Sequence, residues 1–167
     1  MYDYTLERFT KELKSKIKNE KRDIAIFCIG TNSVVGDSLG PRVGSFLRKN
    51  LNSIEIQGDM EKPICYKKEI LGIKKKLENK CIIVIDSAVS YEDLVGQIFI
   101  TKSKMDIGSG IGKRKAFIGD ISIKAVVSKK DTSFYKNFYG FQNVNLGFIE
   151  NMSNFIGRVI CGAIGSY

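Results

Sequence analysis

Two short runs, Ile24–Ile29 and Cys81–Ile85, are apolar at every position. A strand with one face in water alternates apolar and polar residues, whereas a strand apolar throughout must be covered on both faces. Between the runs, Val43, Phe46, Leu47 and Leu51 recur at helical spacing, and Ile70, Ile73 and Leu77 do so again around Gly72, a residue that weakens a helix interior. Pro41 suits a first helical turn, where its missing N–H costs nothing. Ile54–Gly58 alternates and is short, as an outer strand would be. Leu6, Phe9, Leu13 and Ile17 predict an amphipathic helix within residues 1–21.

Beyond the second apolar run, Gln97–Thr101 is a strand candidate about ten residues on, too close for a helical crossover and therefore expected antiparallel to its predecessor. Residues 102–119 read as a long loop, Ile121–Val127 as the last strand, and 142–164 as a closing helix carrying Val144, Phe148, Met152, Phe155 and Val159. The order predicts an α/β fold, a three-layer α/β/α sandwich with a mostly parallel sheet, and one domain spanning 1–167.

The stretch Thr31–Pro41 leaves the first buried strand through Gly30 and enters a helix, the place where open α/β sheets bind ligands. It holds a carboxylate, Asp37. Asp86 follows the second buried strand directly. If the two strands are parallel neighbours, both carboxylates reach one edge of the sheet. Two carboxylates sharing a site have their pKa values pushed apart, so one can activate water while the other protonates a leaving group. The plainer alternatives are a turn or helix-cap role for Asp37 and a strand-end cap for Asp86.

Other chemistries are narrower. The chain contains no histidine, which removes every Ser-His or Cys-His nucleophile, and its four cysteines form no CxxC pair. A transition-metal site is therefore not expected, and no cofactor is; a hard ion on carboxylates alone is the remaining metal alternative. The Gly108–Gly112 loop with Lys113 lacks phosphate-loop spacing and reads as a substrate loop. Asp120, preceding a strand, is expected at the opposite edge in a structural role, with Asp59 and Glu61 at most behind the crevice. The cluster Phe134, Tyr135, Phe138, Tyr139 and Phe141 reads as core or lid. A net charge of +9 spread over short lysine runs suits solvated helix faces, or attraction to an acidic partner. No recognition-helix pattern supports nucleic-acid readout. No apolar run is long enough to span a membrane and no secretory h-region follows the N-terminus, so a cytoplasmic location is expected.

Three motifs together resemble a known family. Cys28–Thr31 leading into Gly36-Asp-Ser-Leu-Gly-Pro41, then Val84-Ile-Asp86-Ser-Ala88, then Gly119-Asp-Ile-Ser-Ile123 resemble the YyaC-type sporulation proteins, described as spore proteases. The same landmarks are similar to the germination protease that degrades small acid-soluble spore proteins, whose proposed catalytic aspartates fall on Asp37 and Asp86, and whose glycine-rich loop matches Gly108–Lys115. The resemblance also implies the fold of the hydrogenase-maturation endopeptidases. Their nickel ligands include a histidine this chain lacks.

The resemblance thus implies an aspartic-type endopeptidase of sporulation or germination, with a forespore or spore-core location and peptide or small spore-protein substrates. Asp37 and Asp86 would be catalytic, with Asn32, Ser38, Gly108, Ser109 and Gly110 bordering the substrate. The alternative is a non-catalytic sporulation protein that keeps the fold to bind an acidic partner or DNA. Oligomeric state stays open, a homo-oligomer included.

Overall fold

The computed structural model describes residues 2–107 and 116–165. Its strands are β1 (Ile24–Cys28), β2 (Glu55–Gln57), β3 (Cys81–Ser90), β4 (Ile98–Thr101), β5 (Met105–Ile107), β6 (Ala116–Ile118) and β7 (Ile121–Lys129). Its helices are α1 (Tyr2–Ile17), α2 (Leu39–Asn50), α3 (Lys67–Lys76), α4 (Phe134–Gln142) and α5 (Leu146–Ile164). Five strands make one sheet in the order β2-β1-β3-β7-β4, and β5 pairs with β6 in a separate two-stranded ribbon.

The apolar strands β1 and β3 lie side by side and parallel at the centre, with Cys28 opposite Ile85. Alternation of side chains splits them between two cores. Ile26, Cys28, Ile83 and Ile85 face α1, α2 and α5 through Leu13, Leu39, Leu47, Ile156 and Ile160. Ala25, Phe27, Ile82 and Val84 face α3 and the β5–β6 ribbon through Ile70, Leu77, Met105 and Ile118. The three-layer arrangement follows from burying both faces of strands that carry no polar side. Phe9 on α1 and Phe155 on α5 meet edge to face at 5.5 Å, fixing the N-terminal helix to the outer side of its layer.

Four sequence expectations need correction. β4 is antiparallel, but its partner is β7 and not its predecessor β3, because β7 runs parallel to β3 and takes the place beside it. The segment read as a long loop contains the β5–β6 ribbon, whose Met105 and Ile118 cover the sheet. The closing helix expected over 142–164 starts only at Leu146, with Val144 outside it and Asn145 as its cap, accepting the Phe148 amide; the aromatic cluster sits on a separate helix, α4. β3 does not stop at Ile85. It continues to Ser90 along β7, and Asp86 is an interior strand residue.

Candidate active site

β1 ends early. Its last ladder bond is Ile29 N–H to the Ile85 carbonyl at 2.9 Å, after which Gly30 N–H turns to the Ile64 carbonyl at 3.0 Å. Gly30 has φ +141°, and a β-carbon there would collide with the Asp37 carbonyl oxygen. Only glycine can both adopt that backbone and admit that approach. The chain then runs through Thr31–Val35 into a single 3-10 turn, Gly36–Ser38, that leads directly into α2.

Asp37 sits in that turn and caps neither helix. Its carboxylate folds back over the end of β1: Oδ2 accepts the Thr31 amide at 2.9 Å, and the Ser87 hydroxyl donates to Oδ1 at 3.5 Å. Burial lifts its pKa from 3.8 to about 6 against those two donors, which pull it down. Asp86 lies one residue away on β3. Burial, and then the charge of Asp37, push its carboxyl well above the usual range; the Ser87 amide and Lys124, its cross-strand neighbour on β7, act in the other direction. Each aspartate keeps part of its surface exposed. The two carboxyls therefore share one field at the carboxyl edge of the sheet, and each is raised above the ordinary carboxylate range.

Strand alternation places them on different sides. Ser87 belongs to the face of Ile83 and Ile85, where Asp37 meets it; Asp86 belongs to the face of Ile82 and Val84. The gap beyond the end of β1 is thus flanked by one carboxyl from each face.

The remaining sequence candidates separate clearly. Asn32 is exposed beside this gap, donating its amide to the Met60 carbonyl at 3.0 Å. Ser38 is 1% exposed, with its hydroxyl donating to the Val35 carbonyl at 2.7 Å and accepting from Arg42 Nε at 3.0 Å. It braces the turn and offers no surface to a substrate. Gly108, Ser109 and Gly110 lie outside the described residues. Asp59 is a buried loop pin: it takes the Glu61 and Lys62 amides at 2.9 and 2.8 Å and pairs with Arg48. Asp120 stands at the amino edge, accepting the Ile82 amide at 2.9 Å and facing Arg22 at 3.3 Å.

Sequence reasoning missed Thr31 and Ser87 as partners of Asp37, and Lys124 as the cation opposite Asp86. Ser87 had a signal, standing next to Asp86 in the strand; the position of Lys124 depends on the β3–β7 register. It also missed Cys65, exposed near the same edge, whose thiol is pushed up by burial and then by the charges of Asp37 and Glu69.

A nickel centre does not fit this arrangement. Among the described residues no group of three or more His, Cys, Asp and Glu side chains gathers closely enough to hold an ion. Two carboxylates without imidazole do not make the donor set of a nickel centre. A cleft of about 400 Å³ lies elsewhere, at the amino edge, with Arg22, Lys74, Lys75, Lys80 and Lys104 on its walls.

Residues 2–159 match the family described as "Protein of unknown function (DUF1256)". The chain belongs to that family. It is 30% identical over 141 residues to the protein YyaC of Bacillus subtilis strain 168, covering 82% of this chain and 67% of that one. Its fold is similar to the crystal structure of the NiFe hydrogenase maturation protease HycI from Thermococcus kodakarensis KOD1, with a TM-score of 0.64 at 12% identity over 92% of this chain and 98% of that one. A protease-like fold is therefore shared. Among the described residues of this DUF1256 protein, no helix is long and apolar enough to cross a membrane.

Proposed function

We propose that this protein is an endopeptidase that hydrolyses peptide bonds with the Asp37–Asp86 pair. The observation that carries the reading is the pair itself: two carboxyls from separate elements, each raised, at the carboxyl edge of the sheet. In this reading Asp37, ionised and held by the Thr31 amide and the Ser87 hydroxyl, takes a proton from the attacking water. Asp86, still protonated, gives one to the leaving amine. After release, the proton gained by Asp37 and the one lost by Asp86 re-equilibrate through solvent, restoring the starting state.

The likeness to a hydrogenase maturation protease and the motif resemblance to the germination protease support peptides as the substrate class. The same motifs favour small spore proteins and a spore-core setting. The direct test is incubation with small acid-soluble spore proteins and with unstructured peptides, following cleavage by mass spectrometry.

The pH profile discriminates further. Cleavage needs Asp37 ionised, so kcat/KM rises with pH through about 6 and falls again only where Asp86 loses its proton, well above the ordinary carboxylate range. A profile with its acidic limb near 4 would show that the base is not this carboxyl.

The basic amino-edge cleft favours a second reading, a binding module for an acidic partner. Arg22, Lys74, Lys75, Lys80 and Lys104 outnumber Glu78 and Asp120 there. That reading predicts no cleavage of any peptide and an affinity for acidic polypeptides that falls steeply as salt rises from 50 to about 200 mM, because the attraction is screened.

A further inference from the structure

β3 outruns β1. In this parallel pairing Cys81, Ile83 and Ile85 direct their backbone groups to β1, as the Cys81 N–H to Asp23 carbonyl bond and the Ile29 N–H to Ile85 carbonyl bond record. Even-numbered residues serve β7, beginning with the Asp120 N–H to Ile82 carbonyl bond and ending with Lys130 N–H to the Ser90 carbonyl. The alternation continues through Asp86–Ser90, so Ser87 and Val89 point toward the side where β1 has already turned away. Among the described residues, the Ser87 carbonyl and both backbone groups of Val89 have no backbone partner.

Natural sheets cover or disrupt such edges, because a row of unpaired N–H and C=O groups recruits another strand. Here the edge is left in the gap that Asp37 flanks from one face and Asp86 from the other. Tyr91, 77% exposed, stands at its far end. The groups on offer are one amide donor and two carbonyl acceptors at strand spacing. Extended polypeptide matches them.

We propose that Ser87–Val89 is a strand-addition edge that takes an extended peptide along the line β1 vacates and presents its scissile bond between Asp37 and Asp86. The proposal rests on the endopeptidase reading and specifies its substrate as an unfolded or extended segment, bound by main-chain hydrogen bonds. A folded helix cannot use the edge, since its own backbone groups are already paired. Specificity would come from side chains on alternate positions of the bound strand, those toward Asp37 and those toward Asp86.

The test separates the edge from the chemistry. The Asp37→Asn/Asp86→Asn double variant is mixed with a pool of randomised unstructured peptides, and amide hydrogen exchange is followed residue by residue by NMR. Peptide binding is expected to slow exchange of the Val89 amide about tenfold or more, while amides of Ile83 and Val84 in the β3 core stay as they were. In parallel, the unmodified protein is assayed for cleavage of the same pool. Protection at Val89 without cleavage keeps the edge and sinks the endopeptidase. Cleavage without protection at Val89 keeps the endopeptidase and overturns the edge, as does the absence of any peptide binding at millimolar concentration. Val89→Pro removes the donor that faces the gap and leaves the β7 ladder of Ala88 and Ser90 in place; it is expected to abolish binding. If that variant loses its fold, peptides N-methylated at single positions repeat the test from the ligand side, with at least one position expected to lose binding.

Discussion

Asp37→Asn and Asp86→Asn are each expected to lower kcat/KM for peptide cleavage by about a hundredfold to ten-thousandfold, the range that removal of a positioned general base or acid commonly costs. The double variant is expected to lose little more than the worse single one, since the two act in the same steps. What makes the experiment informative is that folding should move the other way. Asp37 holds its proton more tightly in the folded state, so between about pH 4 and 6 the unfolded chain releases it first and stability falls as pH rises. Its full extent is on the order of 3 kcal/mol. Asparagine has no proton to lose and removes that part of the slope, while its carbonyl can still accept the Thr31 amide. Asp86→Asn removes a group whose ionisation the folded state disfavours through burial and through Asp37, so at pH values above the range where an ordinary carboxylate ionises its melting temperature should rise. Inactive variants that melt at or above the parent's temperature put the loss in the chemistry. Undiminished cleavage by both single variants would end the aspartate-pair mechanism.

Gly30→Ala is the substitution expected to do most damage to fold and site together. At φ +141° an L side chain is strained before any contact is counted, and its β-carbon would occupy the position of the Asp37 carbonyl oxygen. Backbone has to give way, and the backbone in question is the turn that carries the carboxylate. A loss of about 3 kcal/mol or more is expected in urea unfolding, larger than most surface substitutions produce. Whatever fraction stays folded should cleave poorly, with the acidic limb of its pH profile shifted away from 6 as the Thr31 and Ser87 donors lose their alignment on Asp37. Gly72→Ala is the matching control: nothing lies within 4 Å of a β-carbon built there, and in the middle of α3 alanine should stabilise slightly.

Much of this architecture was legible because local chemistry and global fold agree in it. Ile24–Ile29 and Cys81–Ile85 suited central strands covered on both faces, and the helical spacing of Val43, Leu47 and Leu51 gave α2 an apolar face to set against them. Asp37 and Asp86 were nominated by their position after those strands. Ser38 was misjudged because a serine beside a carboxylate-bearing turn looks the same in sequence whether its hydroxyl faces solvent or, as here, the Val35 carbonyl and Arg42. β4 was set beside the wrong neighbour because the hydrogen-bonding groups that choose a partner are identical along every backbone, and only the placement of β7 decides which edge remains.

The sequence by itself determined the layers, the parallel centre and the absence of any imidazole chemistry, since these depend on residue type and period alone. Tertiary structure decided that β3 outlasts β1. Pairing with β7 carries Asp86 into a strand interior, and the turn at Gly30 takes β1 away just before it would cover Ser87. A carboxylate at each face of an open strand edge is a relation between three segments distant in sequence. It exists only once packing has brought them together, because burial and mutual repulsion act through space and not along the chain.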